Sequence, residues 1–456
     1  MLQKGCLVAG EGFQLRVVDS PLWRARLVGG ELEVTLPLLR ADAVASVVGE
    51  RLAAPLMLPH ELRDCPGSLA SRLAGLVEAY RRRVVVEQLY DLAVRVGPLV
   101  SEALVNPLYP LYSRLRLLAR VAPCPTGLRD GAELGRSYLE LSRDVASVDS
   151  GLLRLRTPSL RLEFRALASR VRATLLSISH RIPVPRTPWE GRECDLDAVF
   201  GGIGRLVRMP EGVFAGFCEE EPLSILGEGD CRPLPRFSSA YLCVSGSRRV
   251  IVKDYMKMAI KWLPAAIASS VAVRYRLGPR SRLAAEYRYL RLFRDIVDTP
   301  RIVAVCSDIA RAASSREYVE GESVLASKEP RHWRLAGEVL GRLHEAGYVM
   351  GDSNPGNVVV DPRGLPWVVD AEQARRFSLR GAAWDIVVAL SYSGLFDAED
   401  SLLLEMLEGY AGSWSGSLRI LELASSPALW LPMRTVPKAY SKRRILREFL
   451  SGKRGG

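Results

Sequence analysis

Over the first 58 residues apolar positions come in short runs, CLVAG, FQLRVV and ARLVGGELEVTL, interrupted by Gly-Gly and Ser-Pro. Short runs divided by turn residues predict strands joined by tight turns, so residues 1–58 read as a β-rich segment. From Pro59 the pattern changes. LASRLAGLVEAYRRRVVVEQLYDLAVRV and LRLEFRALASRVRATLLSIS carry apolar residues at three- and four-residue spacing, which predicts amphipathic helices and a mainly helical domain over 59–193. The proline-rich stretch RIPVPRTPWEGRE, 181–193, marks a domain boundary, and 194–235 is read as a connecting segment. From 236 strands and helices alternate. SSAYLCVSGSRRVIVKDY predicts a hairpin turning at Ser245–Gly246–Ser247, followed by helix to about 297, strands in RIVAVCSD and SREYVEG, and a helix over 331–347.

Composition narrows the class. With 456 residues, 48% of them hydrophobic and 25% charged, the chain suits two or three globular domains and not a disordered protein. The net charge of +12 rests on arginine, since lysine occurs at only eight positions. Such a surface suits an anionic partner (nucleotide, RNA or a lipid headgroup) and equally suits solvated helix faces. Arginine-heavy usage also fits a heat-adapted genome. Eight scattered cysteines without a C-x-x-C argue against zinc and predict reduced thiols in a cytoplasmic protein. The start, MLQKGCLVAGEG, lacks the long apolar core of a leader. WLPAAIASSVAV, 262–273, is too short to span a bilayer and reads as a buried helix. The basic tail, 436–456, is expected to fray at its end.

The chemistry concentrates in GDSNPGNVVVD, 351–361, which follows LGRLHEAGYVM. A hydroxyl nucleophile needs a carboxylate to orient it and take its proton, and Asp352 suits that. A metal-bound triphosphate needs oxygen ligands. Asn357 follows Asp352 by five residues, and Asp370 follows Asn357 by thirteen, at the end of PWVVD. A strand–turn–strand hairpin of that length returns Asp370 beside Asn357, giving two hard oxygen donors. His344 reads as a residue bonding loop backbone.

This trio resembles the protein-kinase-like superfamily, whose H-R-D-x-x-x-x-N and D-F-G patterns have the same gap of five. Here they stand as M-G-D-S-N-P-G-N and V-V-D-A-E. Glycine before the aspartate is similar to the atypical branches: aminoglycoside and choline phosphotransferases, lipopolysaccharide kinases, RIO kinases and the kinase/ATPase subunit of the KEOPS complex. Met350 stands where those branches carry histidine, and Ala371–Glu372 replaces Phe-Gly. The resemblance, over about 236–415, implies Lys253 of RRVIVKDY as the phosphate lysine and Glu286 of RLAAEYRYLRLFRDI as its partner. It implies REYVEG as a hinge, with main chain at Glu317 to Val319 holding adenine and Glu320 reaching ribose. It implies Asp385 of WDIVVALSYSG as the residue pinning the catalytic loop, although a plain helix-N-terminal acid fits the same pattern. No G-x-G-x-x-G precedes Lys253; GEGD, 227–230, and RFSSAY, 236–241, compete, and Ser238 and Ser239 of the second are preferred as phosphate contacts.

The implied fold class is α+β: a bilobal protein-kinase-like fold, with lobe and hinge over 236–321 and a second lobe over 322–435, preceded by the β-rich segment and the helical domain. The implied activity is an ATP- and Mg²⁺- or Mn²⁺-dependent phosphotransferase, foremost an archaeal-style Ser/Thr kinase. A small-molecule kinase for sugar, aminoglycoside or lipid-linked acceptors is the alternative, as is a pseudokinase scaffold binding RNA or protein through its basic surface.

Overall fold

A computed structural model describes residues 5–125, 131–143, 145–156, 184–191, 194–200, 206–215, 230–234, 239–245, 248–256, 266–267, 269–307, 312–435 and 437–455. The chain forms two compact units, Met1–Pro210 and Glu211–Gly456. Both mix helices with sheets, an α+β chain.

In the first unit β1 (Gly5–Gly10), β2 (Phe13–Val18), β3 (Ala25–Val28), β4 (Glu31–Thr35) and β5 (His60–Arg63) form one sheet in the order β3-β4-β2-β1-β5. Leu15, Val17, Leu32 and Val34 are buried on it, at the period of two expected of a sheet face. The amphipathic pattern after Pro59 yields α2 (Gly67–Val96), preceded by α1 (Leu36–Ala45) and followed by α3 (Tyr109–Leu117), α4 (Gly131–Ser142) and α5 (Leu196–Phe200). Strands β6 (Glu102–Val105), β7 (Ser147–Asp149), β8 (Leu152–Arg156) and β9 (Leu206–Arg208) lie in the order β9-β6-β8-β7. Two buried carboxylates fasten the loop after α1. Asp42 accepts the N–H groups of Val48, Glu50, Leu52 and Ala53, while Glu50 accepts from Tyr80 Oη at 2.8 Å and pairs with Arg83 and Arg114.

The second unit carries β10 (Val213–Ala215), β11 (Asp230–Pro233), β12 (Ala240–Ser245), β13 (Arg248–Asp254), α6 (Pro279–Phe293), β14 (Ile302–Ser307) and β15 (Ala312–Glu317). Its strands order as β11-β12-β13-β15-β14-β10. The hairpin read from the sequence is present as β12 and β13, in register Ala240↔Lys253. There follow β16 (Glu322–Ser323), α7 (Pro330–Glu345), β17 (Tyr348–Val349), β18 (Val358–Val360), β19 (Pro366–Val368), β20 (Arg375–Arg376), and the helices α8 (Leu379–Leu395), α9 (Asp400–Ser413), α10 (Ser417–Ala424) and α11 (Pro437–Gly455). Helices α7 and α9 approach backbone to backbone: a Cβ on Gly337 would lie 2.0 Å from Met406 O, and one on Gly409 would lie 2.1 Å from Arg334 O.

Two expectations are corrected. The cysteines are not reduced thiols: Cys6 pairs with Cys65, Cys124 with Cys194 and Cys231 with Cys243, and no cysteine among the described residues is free. Linear spacing does not report such pairing, because Cys231 and Cys243 meet only through the β11–β12 register. The basic tail is helical as far as Gly455: α11 buries Ile445, Leu446, Phe449 and Leu450, while Lys438 and Lys453 pair with Asp397 and Glu408 at 2.8 Å. Apolar positions three and four apart make it amphipathic. Residues 262–265 and 268 of the 262–273 stretch lie outside the described residues; of the rest, Ser269 and Val273 are buried but Ile267 is 69% exposed, so the described part is not a buried helix throughout. No helix among the described residues is long and apolar enough to cross a membrane.

Candidate functional site

Strand β13 alternates its faces, so Val250 and Val252 pack with Cys243 while Ile251 and Lys253 project to the other side. Lys253 is 3% exposed. An ammonium buried that deeply must be paired. Its Nζ lies 2.7 Å from Glu286 Oε2, 2.7 Å from Asp370 Oδ2 and 3.7 Å from Glu372 Oε2. Burial works against the Lys253 charge, but the carboxylates of Asp370, Glu286 and Glu372 outweigh it and raise its pKa above the ordinary lysine value.

Helix α6 supplies Glu286 from the face that also buries Arg282, one turn earlier. Arg316, on β15, pairs with Glu286 Oε1. Arg282 Nη1 lies 3.1 Å from Glu372 Oε2. The buried cluster thus joins three cations, Lys253, Arg282 and Arg316, to three carboxylates, Glu286, Asp370 and Glu372. Burial pushes Asp370 upward, yet Lys253 and Arg316 beside it hold its carboxyl below the usual range. Burial dominates at Glu372 and moves that carboxyl up to about 7.

The stretch from Gly351 to Asn357 is a loop closing in a short 3-10 turn, Pro355–Asn357. Asn357 donates from Nδ2 to the Asp352 carbonyl at 2.9 Å, and its own carbonyl accepts Val369 N at 2.9 Å. Strands β18 and β19 pair Val358 with Val368, so the anticipated hairpin forms, with Val369 opposite Asn357 and Asp370 the next residue along. Asp385 sits inside α8 and is fully buried, not at a helix N-terminus. It accepts Met350 N at 2.8 Å and Gly351 N at 2.7 Å, and so holds the loop. His344 bonds Asp385 and the Tyr410 hydroxyl, where loop backbone was expected. Gly351 has φ +74°, and a Cβ there would meet Gln373 O at 2.6 Å. The Gly-Asp pair is therefore a steric requirement of this loop.

Other anticipated residues stand as follows. Ser238 lies outside the described residues, and Ser239 is buried with its carbonyl bonded to Asp254 N. Glu317 spends its N–H on Arg301 O and its carboxylate on Arg301 N. Val319 is half-buried, and Glu320 is exposed with Arg249 at 3.9 Å. The sequence reading missed Arg282, Arg316 and Glu372. The signals were an arginine one helical turn before Glu286 and a charge inside the buried AASSRE strand.

For a divalent cation, Asn357 and Asp370 offer hard oxygen donors, and the Asn357 amide nitrogen is already committed to Asp352 O. Among the described residues no group of three or more His, Cys, Asp or Glu forms a metal site by itself. Asp370 Oδ2 already lies 2.7 Å from Lys253 Nζ and its Oδ1 accepts Glu372 N at 3.1 Å, so a cation held there would take most of its ligands from phosphate and water.

No family model matches the chain. It is 34% identical over 107 residues to the 3-deoxy-D-manno-octulosonic acid kinase of Xylella fastidiosa strain M12, which covers 21% of this chain and 43% of that protein. The kinase of the same description from strain 9a5c is 33% identical over the same length and shares. The chain thus spans less than half the length of the curated relatives it matches.

Proposed function

We propose that residues from about 236 to 415 form a bilobal kinase-like phosphotransferase that uses ATP and a divalent cation, Mg²⁺ or Mn²⁺. The observation that carries this reading is Lys253, held 2.7 Å from both Glu286 and Asp370. Lys253 would grip the nucleotide phosphates, with Glu286 and Arg316 fixing its position. Asn357 and Asp370 would hold the cation, whose charge neutralises the transferring phosphoryl group. Asp352 would orient the acceptor hydroxyl and take its proton. Main chain from Glu317 to Val319 would hold adenine, Glu320 would reach ribose, and Ser238 and Ser239 would cover the phosphates. Phosphoryl transfer asks mainly for positioning and charge stabilisation, which a buried, balanced set of ionic groups supplies.

The acceptor we favour is a hydroxyl of a small molecule, a sugar acid foremost. The partial similarity to 3-deoxy-D-manno-octulosonic acid kinases supports this over a protein serine or threonine. The test is radiolabelled transfer from ATP to a panel of sugar acids, aminoglycosides, proteins and RNA. Asp352→Ala should abolish transfer to any acceptor the wild type uses while nucleotide affinity stays within about threefold, as loss of a group used only in the transition state requires. Wild-type nucleotide binding without turnover on every acceptor would leave the scaffold reading instead.

A further inference from the structure

Between β13 and α6 the chain crosses residues 273–277 without helix or strand. This strap is fastened at two adjacent residues. The Tyr275 hydroxyl donates to the Gly351 carbonyl and accepts Trp384 Nε1 at 3.2 Å. Arg276 N donates to Gln373 Oε1 at 2.8 Å, and Gln373 Nε2 donates back to Arg276 O at 3.0 Å. Gly351 immediately precedes Asp352, and Gln373 lies three residues after Asp370. Gln373 is 1% exposed, so its carboxamide has no water to exchange these bonds with. Both polar handles of Gly351 are then used: its N–H by Asp385 and its carbonyl by Tyr275.

We propose that Tyr275 and Gln373 are positioning residues, the strap that sets Asp352 and Asp370 at their working separation. Neither is offered as a group that touches substrate. The proposal rests on the phosphotransferase reading for its catalytic consequence, but not for its structural one. Eight residues, 371–378, separate Asp370 from α8; within them β20 pairs with β17, and the strap adds a second fastening on the side of Gly351 and Gln373.

The test compares Tyr275→Phe and Gln373→Ala with the wild-type chain. A misplacement of about 1 Å costs on the order of 10²-fold in rate, so Tyr275→Phe should lower kcat about 10- to 100-fold with KM for ATP within about twofold and the melting temperature little changed. Amide hydrogen exchange supplies a readout independent of activity. In Tyr275→Phe, a peptide spanning 348–357 should exchange faster while peptides from α11 do not. Unchanged exchange across 348–357, or a rate within twofold of wild type, overturns the strap. A wild-type chain that transfers no phosphate overturns the phosphotransferase reading instead, and the exchange result still decides the strap.

Discussion

Arg282 and Glu372 form an ion pair at 3.1 Å, with exposures of 0% and 3%, between helix α6 and the residue two beyond Asp370. A hydrophobic side chain would make that join by packing. Here it is made by charge, and Glu372 is also drawn toward Lys253. Removing one partner of a buried pair leaves an uncompensated charge, whereas removing both can be nearly neutral. Above pH 7, where Glu372 is ionised, Arg282→Met should destabilise the second unit by about 3–5 kcal/mol, and Arg282→Met with Glu372→Leu should recover much of that. Urea melts of the two variants check it; equal losses in both would break the argument.

Lys253→Met removes the cation that three carboxylates share. Arg316 and Arg282 then face Glu286, Asp370 and Glu372 with one positive charge too few. We expect nucleotide-dependent phosphate transfer to fall by about 10²–10³-fold, the size typical of losing one charge-stabilising donor. Lys253→Arg should not restore it, because a planar fork cannot occupy a point-charge site flanked at 2.7 Å on two sides. Steady-state kinetics on both variants measure this.

Gly351→Ala tests whether the glycine of the Gly-Asp pair is steric. A left-handed backbone costs a non-glycine residue roughly 1–2 kcal/mol. The added methyl would also press on the Gln373 carbonyl at 2.6 Å. The loop must shift to make room, carrying Asp352 with it, so the variant should lose both melting temperature and turnover. Calorimetry and a transfer assay report the two losses separately.

Residue types in order made much of the site legible. Lysine is scarce, so one at the end of an apolar strand stood out, and Lys253, Glu286 and Asp370 do meet. The Asn357-to-Asp370 spacing encoded a hairpin because the valines between them can only pair. What the sequence hid were partners fixed by tertiary approach. Arg316 reaches Glu286 across a strand and a helix, and Arg282 reaches Glu372 over 90 residues. Each position carries a faint linear signal, but neither names the partner it reaches. The cysteine pairs failed for the same reason: strand register, not spacing, brings Cys231 to Cys243. In the first unit the alternation announced strands. Nothing local announced that α1 would be tied through Asp42 to four backbone N–H groups.

The β18–β19 hairpin that returns Asp370 to Asn357 is stapled by Asp361, whose acid chemistry predicts a pH signature. Burial tends to raise its carboxyl, but Leu365 N, the Arg363 side chain, Trp367 Nε1 and Arg363 N all donate to it and hold the pKa at about 2. The folded value lies below the unfolded one of 3.8. The native state therefore favours the ionised form, and the stabilisation is complete above the unfolded value and drains away as pH falls toward 2. Asp361→Asn removes the titrating group, so the stability gap between wild type and variant should be widest above pH 4 and should narrow between about pH 4 and 2. Denaturant melts at a series of pH values measure that gap. A gap that stays constant across the window would mean that the hairpin is held by its strand pairing and not by the carboxylate, and the placement of Asp370 would then owe nothing to Asp361.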